Sequence, residues 1–274
     1  MKKIVLNILI VVFALIFIGC GWYLFSYYWE AKQAGDEIEV LSEMVEESEE
    51  EPDDAPDVSE PIEITAPSGK KKNVLKKYKK LYKKNHDVIG WVKVDDTPIN
   101  YPVMFTPEDN EYYLHRNFDK KDDSNGLPFL DASCDPDDPE NNLLIYGHHM
   151  RSGMMFAHLM DYEEESFYKK HKIVRFDRLY GIGEYEVVAA FRSQVYPENR
   201  TDVFKYYDYI GHLSKKRFKE YIEGIQKLAL YPTGVTPEYG DQLISLVTCA
   251  YHVDEGRFVV VARRKNDLTE NMEE

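Results

Sequence analysis

Cysteine is scarce in this 274-residue chain: Cys20, Cys134 and Cys249 are all there is, and no two stand at the spacing of a paired-Cys metal site. No H-E-x-x-H is present either, so His148, His149, His158 and His252 do not form a zinc pattern, and no metal or cofactor is called for. A phosphate-cradling glycine loop is missing, and there is no internal repeat. Lysine and arginine are absent between Asp36 and Glu63, where 14 Asp or Glu carry nearly all of the formal net charge of −15. The remainder is close to neutral, which argues against nucleic acid as a partner. Aromatics are absent from Asp36 to Lys72, where Pro52, Pro56, Pro61 and Pro67 recur. Such a segment buries too little apolar area to offset its ordering entropy, and the expectation is an extended, disordered acidic stalk.

One long apolar run is present. Ile4 to about Phe25 is uncharged, preceded by Lys2 and Lys3 and flanked by Trp22, Tyr23, Tyr27, Tyr28 and Trp29. Its length suits a bilayer-spanning helix, its aromatics suit the interface, and the lysines favour an N-terminus inside and a bulk domain outside. A cleaved signal peptide is one rival, but no A-x-A-like site follows the run. A lipoprotein box at Ile18-Gly19-Cys20-Gly21 is the other, with Cys20 as the lipidated residue. The reading adopted is an uncleaved single-pass anchor.

Asn73 to about Lys84 has Val74, Leu75, Tyr78, Leu81 and Tyr82 at helical spacing, with lysines elsewhere. This is an amphipathic helix expected to pack on the domain C-terminal to it. From there the texture is of short apolar runs between turn residues: 88–94, 99–104, 127–130, 142–146, 172–177, 185–193, 243–248 and 258–262. Eight short strands without a regular helix between each predict a closed or sandwich-like, mainly β body. Short helices are expected over 107–114 and 155–162. A longer one is expected over 214–230, where Phe218, Tyr221, Ile222, Ile225, Leu228 and Ala229 make an apolar stripe.

Chemistry concentrates in Ser245–Arg264, SLVTCAYHVDEGRFVVVARR. If 243–248 and 258–262 are antiparallel neighbours, the Cys249 thiol and the Arg257 guanidinium lie side by side at one end of the sheet. Taken alone, Cys249 reads equally as a small buried hydrophobe. A partner is offered by Leu143–Met150, LLIYGHHM, in which Gly147 permits a tight turn and His148 and His149 follow the strand. A histidine there can lower the thiol's pKa and later protonate a leaving amine, while Arg257 supplies donors to an oxyanion. Cys134, in a Pro- and Asp-rich loop, reads as incidental. Asp254 and Glu255 read as a solvated turn, with orientation of Arg257 as the other use.

GHH after an apolar strand, L-x-T-C about a hundred residues on, and Arg eight positions after the Cys at the start of a Val-rich strand resemble the sortases. These are membrane-anchored cysteine transpeptidases of Gram-positive bacteria. The N-terminal helix, the YGHH context, the long helix between the sixth and seventh strands and the VVVAR ending resemble class B. The resemblance covers about residues 73–265. It implies a closed eight-stranded β-barrel, with His148, Cys249 and Arg257 as the catalytic residues. It further implies Asn110, Leu114, Tyr207 and Thr248 along the substrate groove. Val247 and Ala250 stand where some class B members carry Ser and an acidic residue. The implied partners are surface proteins with a C-terminal sorting signal, cleaved after Thr, and a peptidoglycan amine. The expected division is an anchor (1–29), an acidic disordered stalk (30–72), a catalytic domain (73–265) and a polar tail (266–274), with the domain on the extracellular face. The alternatives are a cysteine endopeptidase that passes the acyl group to water and a non-catalytic binding module.

Overall fold

The computed structural model describes residues 2–52, 55, 60–65, 69–135 and 141–265, and its first element is helix α1, Lys2–Glu50. From Lys3 to Phe25 this helix is exposed, and it is the one helix among the described residues long and apolar enough to cross a membrane. Beyond Trp29 it does not give way to a disordered stalk. Ile38, Leu41, Met44, Val45 and Ser48 recur at helical spacing and face the rest of the protein, with Leu41 only 2% exposed. Composition averaged over the acidic segment hides this stripe, because the glutamates occupy the other faces. The expected stalk is thus corrected over residues 30–50, and again at 63–65 and 71–72, which form paired strands. Its middle lies largely outside the described residues, as does the polar tail at 266–274.

The acidic end of α1 meets the basic stretch expected to pack. A small hairpin, β1 (Glu63–Thr65) and β2 (Lys71–Asn73), leads into a 3-10 turn at Lys76–Tyr78 and helix α2 (Lys79–Lys84). Val74, Tyr78 and Leu81 are buried as the amphipathic pattern required, though the helix is shorter than its periodicity suggested. Its lysines find acids: Lys80 pairs with Glu51, and Lys77 lies 4.0 Å from Glu49 and 2.8 Å from Asp177. Each such pair contributes little, but Leu41 is a core residue. Leu41→Ala should therefore cost about 2–4 kcal/mol in urea unfolding of the full chain in detergent, whereas a free stalk would show no change.

All eight expected strands form: β3 (Val88–Lys93), β4 (Asn100–Met104), β5 (Phe129–Leu130), β6 (Asn141–Tyr146), β7 (Ile173–Arg178), β8 (Glu184–Gln194), β10 (Leu243–Cys249) and β11 (Gly256–Arg264). A two-residue β9 (Gly211–His212) adds to β6. The order β10-β11-β8-β7-β3-β4-β5-β6 closes on itself through a parallel β6–β10 pairing, making an eight-stranded barrel. Closure removes the sheet edges, and inward residues such as Val92, Val103, Ile145, Val187, Leu246 and Val260 are fully buried.

Helix α3 (Glu165–Lys170) has no counterpart among the expected elements, while the two short helices expected at 107–114 and 155–162 are 3-10 turns at Tyr112–His115 and Phe156–Glu163. Helix α4 (Lys215–Leu228) lies between the sixth and seventh barrel strands, capped by Ser214, whose Oγ accepts from the Arg217 amide. It buries Phe218, Tyr221, Ile222 and Ile225.

Candidate active site

The parallel β6–β10 pair sets the site. Its register runs from Leu243↔Asn142 to Val247↔Tyr146, so both strands end at the same rim of the barrel. Beyond the last pair, the Gly147 amide donates to the Val247 carbonyl (3.0 Å), and Thr248 Oγ1 donates to the Gly147 carbonyl (2.8 Å). The next residues along each strand, His148 and Cys249, are therefore delivered together. On the other side of β10, Cys249 is the direct antiparallel partner of Arg257. Gly147 is needed for close packing: a Cβ there would stand 2.6 Å from the Phe156 ring.

These three side chains, together with Asn110, Leu114, Tyr207 and Thr248, line one groove of about 560 Å³. His149 is not among its lining residues. Instead, its Nδ1 bonds the Cys249 carbonyl (2.9 Å) and its ring packs on Tyr251. Arg257 is three-quarters buried and held from behind, donating to the Gly256 carbonyl (3.0 Å) and to the Glu255 carboxylate (3.2 Å). Orientation of Arg257 by Glu255, the less favoured reading of that turn, is thus what the geometry has.

His148 Nε2 lies 2.8 Å from the Leu114 carbonyl. A carbonyl only accepts, so Nε2 carries a hydrogen and the neutral ring has its lone pair at Nδ1. The His115 ring stacks on it at 5.6 Å between centroids. Burial holds His148 below its ordinary value of 6.5, the Leu114 bond opposes this, and His115 adds to the depression. The unfolded chain then takes up this proton more readily than the folded one. The resulting stability is complete above pH 6.5 and is lost as pH falls through the lowered folded value. His148→Gln should flatten the fall in urea-unfolding stability between about pH 7 and 5 relative to the parent chain.

Cys134 is buried, with its sulfur between the Leu144 amide and the Asn142 carbonyl, and burial pushes its thiol up to about 12. At neutral pH it is a protonated, enclosed thiol and a poor nucleophile. Among the groove residues that the sequence did not single out is Asp131, which is 7% exposed. Its carboxylate accepts from the Ser133 amide (2.8 Å), Tyr146 Oη (3.2 Å) and Asn110 Nδ2 (3.5 Å), while Asn110 Oδ1 accepts from the Ala132 amide (2.8 Å). The signal that would have found it is its place immediately after the apolar run of β5, a strand that begins beside the rim at Phe129. Tyr207 is fixed to the opposite wall by its hydroxyl, which accepts from the Tyr196 amide (2.8 Å). No cluster of His, Cys, Asp or Glu suited to a metal ion is found among the described residues.

The family model described as the Sortase domain matches residues 92–265. Sortase B of Staphylococcus aureus (strain NCTC 8325 / PS 47) is 31% identical over 194 residues, 70% of this chain and 75% of the relative. Sortase B of Listeria monocytogenes serovar 1/2a (strain ATCC BAA-679 / EGD-e) is 30% identical over 182 residues, 66% and 70% of the two chains. Among solved structures, the Staphylococcus aureus sortase B–substrate complex superposes with a TM-score of 0.67 at 26% identity, covering 86% of this chain and 98% of that one.

Proposed function

We propose that this chain, which belongs to the sortase family and within it to class B, joins surface proteins to the cell wall through a thioacyl intermediate on Cys249. The observation that carries this reading is the strand register, in which Cys249 is paired with Arg257 and follows the same rim as His148. A C-terminal sorting signal lies in the groove between Asn110, Leu114 and Thr248 on one side and Tyr207 on the other. The Cys249 thiolate adds to the carbonyl carbon of the signal's Thr, and Arg257 donates to the oxyanion. Collapse of the tetrahedral intermediate breaks the C–N bond as His148, which has taken the Cys249 thiol proton at Nδ1, gives that proton to the departing amine. A peptidoglycan amine then attacks the thioester, re-forming an amide and returning the thiol. Dividing one amide exchange into two acyl transfers lowers the barrier to each.

Helix α1 supplies the setting. Its apolar half spans the membrane with Lys2 and Lys3 inside, and the barrel stands on the extracellular face. That the staphylococcal relative is solved in complex with a substrate supports this reading.

The test is incubation of the full chain in detergent with peptides of Asn-Pro, Leu-Pro, Ser-Pro and Pro-Pro signal types, with and without triglycine or diaminopimelate, followed by intact-mass and product analysis. The expected result is a Cys249-dependent acyl adduct and an amine-linked product. Release to water alone, whatever amine is offered, would make the protein an endopeptidase. Saturable binding without any adduct would make it a binding module.

A further inference from the structure

The docked half of α1 has a direction along the barrel. Trp29, the last of the aromatics that suit a membrane interface, is exposed, and two residues later Ala31 is buried, followed by Ala34. Gly35 lies against Met154, whose methyl would be 3.9 Å from a Cβ at that position. Glu37 accepts from Asn117 Nδ2 (3.0 Å), and Ser42 Oγ accepts from Asn100 Nδ2 (3.0 Å). Met154 belongs to the loop that comes after His148 and His149, and Asn117 comes after the Leu114–His115 segment that backs His148. Asn100 opens β4, whose other end, Met104, pairs with Phe129 beside the groove. The helix therefore passes from the catalytic rim towards the opposite end of the barrel as it leaves the apolar segment. From Trp29 to Gly35 is six residues, about 9 Å of helix.

The rim that faces back along α1 carries an apolar lip. In the β10–β11 turn beside Cys249, Tyr251 is 75% exposed and Val253 44%, and Val195 at the end of β8 is exposed too. Arg151 and His252 are exposed on the same rim. Of the acids in that turn, Glu255 is engaged with Arg257. Tyrosine and arginine are types that sit at headgroup depth.

We propose that the Tyr251–Val253 lip rests on the lipid headgroup surface, with α1 as a rigid strut that turns the Cys249 rim towards the bilayer it is anchored in. The occupant is the membrane itself, and the proposal rests on the reading of α1 as an anchor. The groove then opens at the membrane surface rather than at the end of a long stalk.

The test uses the full chain with Cys20→Ser and Cys249→Ala, reconstituted in vesicles of phosphatidylcholine and phosphatidylglycerol containing a headgroup-nitroxide lipid. Single cysteines are introduced by Val253→Cys or by Ile182→Cys, an exposed position in the β7–β8 turn at the far end of the barrel, and labelled with bimane. Cys134 is buried and is left unlabelled. The expected result is several-fold stronger quenching at position 253 than at 182. Flotation with the vesicles reads the anchor separately. A chain that fails to float removes the anchor and the proposal together. A chain that floats but shows position 253 quenched no more than 182 overturns the proposal alone and leaves the lip as a surface for a soluble or wall-bound partner.

Discussion

Cys249→Ala is expected to abolish the acyl adduct and to lower turnover of a sorting-signal peptide by about 10⁴-fold or more, as loss of a covalent nucleophile does. Folding is nearly untouched. The side chain is half-buried, and what the surrounding structure uses at this position is backbone: the Cys249 carbonyl bonds His149, and the next amide, of Ala250, donates to the Gly256 carbonyl. Thermal unfolding should therefore move by less than about 1 kcal/mol. Cys134→Ala is the contrasting variant. It removes a buried sulfur that the Leu144 amide uses as its acceptor, so it should lower stability while leaving the adduct intact. An adduct that survives Cys249→Ala and disappears with Cys134→Ala would reverse the assignment of the nucleophile.

His148→Ala is expected to cost about 10²–10⁴ in kcat/KM, the usual contribution of a positioned general acid. His149→Ala should cost less than about tenfold. Adjacent residues leaving a strand point to opposite sides, and only His148 lines the groove with Cys249 and Arg257. His149 instead holds the Cys249 carbonyl and packs on Tyr251, so its loss loosens the turn without removing a proton donor. Steady-state kinetics on the two variants, with the amine acceptor saturating, separates them. A dead His149→Ala beside an active His148→Ala would move the acid role to the second histidine.

The eight barrel strands were legible because each is a short β-branched or aromatic run closed off by turn residues, and their boundaries move by only a residue or two in the structure. The candidate site residues stood out for a related reason. His148, Cys249 and Arg257 each stand at a strand end, where the alternation of the core stops constraining side-chain type. Asp131 stands at such an end too, yet one Asp after an apolar run reads as a turn until Tyr146 and Asn110 are seen to converge on it. At Tyr112–His115 and Phe156–Glu163 the pattern reads as α-helix although both are 3-10 turns, because so few residues do not distinguish the two periods.

The acidic segment shows where local reasoning stops. Its charge and lack of aromatics describe a chain that cannot fold by itself, and by itself that is sound. What composition leaves out is a partner: Leu41 and Val45 are covered by the barrel domain, and the glutamates near Glu50 meet the lysines of the stretch around α2. The sequence by itself determined an apolar helix fit to span a membrane, a mainly β body of eight strands, and a cysteine, a histidine and an arginine at strand ends, since these come from runs, periods and spacings along one segment at a time. The closing of β6 on β10, the docking of α1 and the direction in which the catalytic rim looks were decided only by tertiary structure. They depend on which segments bury one another's apolar faces, and no single segment carries that information.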